Sequence, residues 1–175
     1  MDKFVKNKNG FTLVETLIYL SIVSAILVGF VSFSISISDV RAKNYASSEV
    51  QANLRVALDI VTQKIRSANG VNLGASTFDV DPGVLSLSMA DSAKNPTIIK
   101  LDQDNGTLQV QEGSSPPVSI ISSEVKMTNL IFTNLTQAGR NAIFKINMTI
   151  DYNDIGGDVN YVYSQSIQTA VGLRQ

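Results

Sequence analysis

The chain of 175 residues contains no cysteine, no histidine and no tryptophan. Without cysteine there is no disulfide framework, no thiol nucleophile and no thiolate metal site. Without histidine the commonest general base and metal ligand is gone. Serines are abundant, but no lysine or aspartate is arranged around one to suggest a nucleophile. The composition therefore argues against an enzyme. Proline is scarce as well, with 4 in all and none before Pro82. Charged residues make up only 17% against 44% hydrophobic ones, sparse for a soluble protein but ordinary for one with a membrane segment. The 14 basic and 15 acidic side chains leave a formal charge of −1, and no basic block stands out. A dedicated nucleic-acid binder is not what this balance advertises.

What the sequence does have is concentrated at its start. Residues 1–10, MDKFVKNKNG, carry Lys3, Lys6 and Lys8 against Asp2. From Thr16 to Ser38 there is no formal charge. As a helix rising ~1.5 Å per residue, that run reaches about 34 Å, roughly a hydrocarbon core. The lysines should stay cytoplasmic and the C-terminal part should face outward. A plain signal-anchor would satisfy all of this. Glu15 is what it leaves unexplained, because a carboxylate entering hydrocarbon costs a few kcal/mol on lenient scales and needs a partner or a shallow position. A cut after the small residue Gly10 would remove the lysines, keep the apolar run and leave Phe11 with a free α-ammonium one helical turn from Glu15. That amine, on the same or a neighbouring chain, would be a counter-charge.

The stretch KNGFTLVETLIYLSIV (residues 8–23) resembles the N-terminus of type IV prepilins and type II secretion pseudopilins. In that family a short basic leader ends in glycine and is followed by a methylated phenylalanine, T-L-[IV]-E and an unbroken apolar helix. The resemblance implies that a membrane aspartyl prepilin peptidase cleaves the Gly10–Phe11 bond and methylates the Phe11 amine. It also implies that Glu15, at the fifth mature position, serves assembly. The implied partners are that peptidase, other pilin or pseudopilin subunits, an inner-membrane assembly platform and, before assembly, the membrane itself. The implied location is the cytoplasmic membrane, single-pass with the C-terminus outside, then an extracytoplasmic filament in the periplasm or at the cell surface.

The expected domains are a leader (1–10), a transmembrane or filament-core helix (11–38), an amphipathic helix (39–70) and a β-rich headpiece (71–175). Ser21, Ala25 and Gly29 fall at i, i+4 and i+8, a small-residue stripe suited to close helix packing. VSFSISIS (31–38) alternates like a strand, but its place between a membrane run and a charged helix favours helix. Residues 29–38 are its weakest part, and pilins as a family lose helicity along this segment in filaments. Beyond Asp39, Val50, Leu54, Leu58, Val61, Ile65 and Ala68 mark an apolar stripe, with Asn69-Gly70 as the expected C-cap. The helix is expected to run from about residue 12 to 68. Strands are expected at 84–89, 97–102, 107–111, 125–135 and 144–152, with a last run keeping Val159, Tyr161, Tyr163, Ile167, Val171 and Leu173 in phase. QDNG (103–106) reads as a hairpin turn. The fold class is α+β and pilin-like, a long N-terminal helix packed on an antiparallel sheet.

A helix ending LDIVTQKIRSANGV, followed by hairpins and a closing TAVGLR, is similar to minor pilins and J-type minor pseudopilins, which sit at or near a filament tip. Two departures speak against a major pilin: no kinking proline in the helix and no cysteines for a C-terminal disulfide. Acidic pairs at Asp79/Asp81 and Asp102/Asp104, and the group Asp151, Asp154 and Asp158, read as solvated turns. Some pseudopilins bind Ca²⁺, yet in DQDNG the glycine comes one position early for an EF-hand. No metal and no cofactor is expected. Asn105, Asn134 and Asn147 begin N-x-[ST] sequons, two of them inside expected strands. Losing the leader removes three lysines and one aspartate, leaving 11 basic against 14 acidic residues. A tip adhesin or DNA-uptake pilin would need a local basic face beyond that balance. An anchored enzyme or sensor would need a deep pocket with perturbed carboxylates.

Overall fold

A computed structural model describes residues 10–137, 141–154 and 161–174. The chain divides into two compact units, Met1–Arg41 and Ala42–Gln175. The boundary falls inside the α-helix α1 (Leu13–Ser67), a few residues beyond the end of the charge-free run.

In the first unit α1 buries none of its side chains. Six of its hydroxyls are nevertheless satisfied from within. Thr16, Ser21 and Ser24 donate to the carbonyls of Leu13, Ile18 and Ser21 at 2.8, 2.8 and 2.9 Å. Ser34, Ser36 and Ser38 donate to those of Phe30, Ser32 and Ser34 at 3.0, 3.0 and 3.2 Å. Back-bonding of this kind lets serine sit in an apolar helix without an orphaned donor. The alternating VSFSISIS segment is helical throughout. Its period of two needs a partner strand to matter, and none of the described strands pairs with it.

In the second unit one face of α1 is buried. It comprises Ala42, Ala46, Val50, Leu54, Ala57, Val61 and Ile65, followed by Ala68 just past the helix end. Leu58 is only half-buried, so the stripe passes through Ala57 instead. Arg55, Asp59 and Arg66 point to solvent. Each fully buried Val, Leu or Ile contributes about 1.5–3 kcal/mol relative to exposure. The helix does not end on a left-handed glycine. Ala68 N–H donates to Ile65 O at 3.2 Å, Asn69 N–H donates to Ser88 O at 2.9 Å, and Gly70 opens a strand.

The expected antiparallel strands are arranged, among the described residues, in two sheets. Sheet one is an antiparallel meander of β1 (Gly70–Val71), β2 (Val84–Ser88), β3 (Thr97–Asp102), β4 (Thr107–Glu112) and β5 (Val118–Ser119). Sheet two is β6 (Val125–Asn134), β7 (Ile143–Tyr152) and β8 (Ser164–Gly172). The two-residue strands β1 and β5 carry no alternation a sequence could show. The last strand starts later than the in-phase run. Tyr161 and Tyr163 precede it, although Tyr163 O still accepts Tyr152 N–H at 2.9 Å, and Val159 lies outside the described residues. From Tyr161 onward the odd positions do face inward. In β6 the inward set changes phase, Val125 and Met127 giving way to Leu130 and Phe132 across a bulge at Thr128. Inward side chains of both sheets and the helix face form one hydrophobic core.

The unpaired side of β6 is closed by loops. Asp79 N–H reaches Phe132 O at 2.8 Å, Gly83 N–H reaches Leu130 O at 2.7 Å, and Met127 N–H reaches Gly106 O at 2.8 Å. Gly106 turns the expected QDNG hairpin with φ +62°. Gly113, also left-handed at φ +54°, lies so close to Ala93 that an added Cβ would stand 2.2 Å from its carbonyl oxygen. Lys64 of α1 pairs with Glu112 at the end of β4, their side chains 26% and 30% exposed. That hydrogen bond from the ammonium holds the Glu112 carboxyl below the ordinary glutamate range.

Gly113→Ala should lower unfolding stability by about 1–3 kcal/mol, because strain and overpacking add. Gly74→Ala, where a Cβ meets nothing within 4 Å, should stay within about 0.5 kcal/mol. Thermal melts of the full chain in detergent compare them, and equal responses would contradict the close approach. Lys64→Met should cost at most about 1 kcal/mol at neutral pH, as a half-exposed pair allows. Because the Glu112 value is depressed on folding, the pair's contribution is present above the ordinary carboxylate range and is lost as pH falls through the lowered one. The difference between variant and parent in melts should therefore vanish in acid.

Candidate processing and assembly site

The N-terminal end of α1 is built by four residues, Thr12 to Glu15. Thr12 is the cap, its Oγ1 accepting the Glu15 N–H at 3.3 Å. In return Glu15 Oε2 accepts the Thr12 N–H at 3.4 Å. T-x-x-E is the reciprocal capping box, and it satisfies two of the donors every helix start leaves open. A carboxylate in the first turn is also favoured by the helix dipole. Glu15 thus has a partner in the uncut chain, which reasoning from charge alone had not supplied. The signal was in the spacing Thr12-Leu13-Val14-Glu15, and Thr12 is the residue it missed.

Gly10 and Phe11 stand just outside this box. An added Cβ at Gly10 meets nothing within 4 Å, and Phe11 is 80% exposed. The Gly10–Phe11 bond therefore lies in open chain, one residue before the cap. Consecutive Cα atoms are 3.8 Å apart, so the Phe11 nitrogen belongs to the peptide adjoining the one that Glu15 grips. Phe11, Thr12 and Glu15 are brought together; Ser21, Ala25 and Gly29 run in a separate row along the helix. All three of these are exposed, and a Cβ at Gly29 would meet nothing within 4 Å.

The acidic turns hold other side chains and backbone. Asp81 Oδ1 accepts Leu130 N–H at 3.0 Å and ties its loop to β6. It is exposed, as a solvated turn should be, and bridges to the strand as well. Asp79 takes the left-handed conformation at φ 59°, which short polar side chains tolerate. Asp102 accepts from Asp104 N–H at 3.2 Å and from the amides of Asn105 and Gln109 at 2.9 Å each. The Asn105 bond leads in lowering its carboxyl below the aspartate range. Asp151 accepts the Ser164 hydroxyl at 2.5 Å, Asp154 also has a partner, and Asp158 lies outside the described residues. Of the sequons, Asn105 is in the β3–β4 turn, Asn134 closes β6, and Asn147 sits within the central strand β7.

The headpiece carries an open groove of about 460 Å3, lined by Ile60, Gln63, Val110, Pro116, Val118 and Ile120 and closed by Lys64 and Glu112. Its carboxylate is held ionised by the lysine, the opposite of what a general acid needs at neutral pH. A second hollow of about 430 Å3 brings together Arg66, Arg174 and Asp59.

α1 is the one helix, among the described residues, long and apolar enough to cross a membrane, and none of its apolar window is buried. No curated protein and no solved structure matches the chain. The family model of the prokaryotic N-terminal methylation motif matches residues 5–31, which span the Gly10–Phe11 bond, the capping box and the small-residue row. The chain carries the N-terminal motif of type IV prepilins and pseudopilins, on a long helix and antiparallel sheets laid out as in a pilin.

Proposed function

We propose that this chain is a structural subunit, a minor pilin or minor pseudopilin, of a type IV pilus or type II secretion-like filament. A prepilin peptidase cuts after Gly10 and methylates the Phe11 amine, and the exposed half of α1 then passes from membrane to filament core. The observation that carries this reading is an open Gly10–Phe11 bond immediately before a capped helix whose charge-free run, Thr16 to Ser38, buries no side chain. An exposed apolar surface of that length needs lipid or other helices around it. The row Ser21, Ala25 and Gly29 is where a neighbouring helix would approach most closely. The minor-subunit assignment rests on the missing cysteines and on the absence of proline before Pro82.

Processing would change what Glu15 does. In the uncut chain its carboxylate takes the Thr12 amide through a long bond. A cut at Gly10 puts an ammonium one residue away, a far stronger partner in a medium of low dielectric. The carboxylate would then neutralise that amine on its own chain or on a neighbour and set the axial register of assembly. A tip-adhesin or DNA-uptake role remains the second reading, and the Arg66/Arg174 hollow is the feature that favours it.

Co-expression with a prepilin peptidase should yield a chain whose intact mass and N-terminal sequence begin at N-methylated Phe11. A chain that keeps residues 1–10 would reduce the segment to a signal-anchor. Glu15→Ala and Glu15→Gln should both be cleaved normally, yet both should enter filaments at least about tenfold less, the loss of one charge pair at low dielectric. Glutamine preserves the capping box. Normal incorporation of Glu15→Gln with failure of Glu15→Ala would assign Glu15 to capping alone.

A further inference from the structure

At the margin of the core, Tyr45 of α1 meets Tyr152 at the end of β7 edge to face, with ring centroids 6.1 Å apart and planes at 77°. Tyr161 stacks on Tyr152 at 5.7 Å and 22°. The result is a right-angled aromatic corner backed by a third ring, and Tyr45 in it is 49% exposed. Two carboxylates flank the corner. Glu49 lies one helical turn after Tyr45 on the same helix, and Glu124 Oε2 accepts the Tyr152 hydroxyl at 3.3 Å.

Neither carboxylate pairs with a cation among the described residues. Among the described residues the ion pair formed is Lys64 with Glu112, while Glu49 receives the Asn53 amide at a long 3.5 Å. The phenol of Tyr45 is pushed up by Glu49 first and Glu124 second, and that of Tyr152 by burial first and Glu124 second. Among the described residues no positive group is a cause acting on either phenol. The pieces are also held in place. Asn153 N–H donates to Glu124 O and its amide to Ser123 O, both at 2.9 Å, and Ala42 and Ala46 seat the helix on either side of Tyr45.

Ring faces are negative, and carboxylates beside them add to that field. A guanidinium suits such a corner better than an ammonium. It is planar, weakly hydrated and able to stack on a ring while hydrogen-bonding a carboxylate through two N–H groups. We propose that Tyr45, Tyr152 and Tyr161, with Glu49 and Glu124, form a receiving site for an arginine side chain of a neighbouring filament subunit. That the arginine arrives on a subunit rests on the function proposed above; that the corner takes a guanidinium does not.

The test is a titration of the full chain, tyrosine-labelled for NMR in an uncharged maltoside detergent, with N-acetyl-argininamide. Saturable shifts are expected for Tyr45 and Tyr152 and none for Tyr19. The neutral citrulline analogue should produce none, and N-acetyl-lysinamide should bind more weakly. The double variant Glu49→Gln/Glu124→Gln should weaken arginine binding about tenfold. No shift, an equal response to citrulline, or unchanged affinity in the double variant would overturn the site. Equal binding of the lysine derivative would overturn the choice of guanidinium. In assembled filaments, a photocrosslinker at position 45 should capture an adjacent subunit at an arginine; filaments without that adduct would overturn the subunit as the source. An uncut chain would remove the filament reading while leaving the titration standing.

Discussion

The face of α1 from Ala42 to Ala68 is the surface on which the head unit closes. Both sheets direct their inward side chains into the core that this face completes. It begins with alanines, which bring backbone close, and continues with Val50, Leu54, Val61 and Ile65, which fill space. Small residues where elements approach and large ones where they part is what dense packing demands. The polar ties follow from that seat. Asn53 Oδ1 can accept Ser122 N–H at 2.9 Å, and Lys64 can reach Glu112, only because the helix is already docked.

The first unit obeys the opposite constraint. None of its described side chains is buried, so its polar groups must be settled inside the helix. The serines do this by back-bonding to the preceding turn, and the capping box does it at the N-terminus. A helix so finished presents apolar surface with few unsatisfied donors, as a hydrocarbon or a packed helix core requires. Glu15 closes the helix start, and under the processing proposed above the same carboxylate would meet a charge created one residue away.

Acidic residues in the head unit divide by what surrounds them. Asp81 and Asp102 spend their oxygens on backbone and amide donors and so hold loops to strands. Glu49 and Glu124 stand instead beside tyrosine rings and, among the described residues, form no ion pair. The first group is accounted for by the fold. The second is left with an interaction unmade, which is why it points to a partner.

By itself the sequence determined the local and the periodic. The charge-free run, the 3.6-residue stripe and the alternation in FKINMTIDY each need only the residue's own neighbours along the chain, and the 55-residue helix and strand β7 follow. The N-terminal motif was legible for the same reason, since cleavage and capping both act on contiguous residues. The tertiary structure decided what depends on residues far apart in the chain. Strands as short as β1 and β5 exist because a neighbour offers hydrogen bonds, and the split into two sheets depends on how loops 79–83 and 103–106 cover β6. Gly70 became a strand residue, not a cap, because β2 was there to pair with it. The tyrosine corner joins positions 45, 152 and 161. Periodicity sees one segment at a time, and only packing brings such segments face to face.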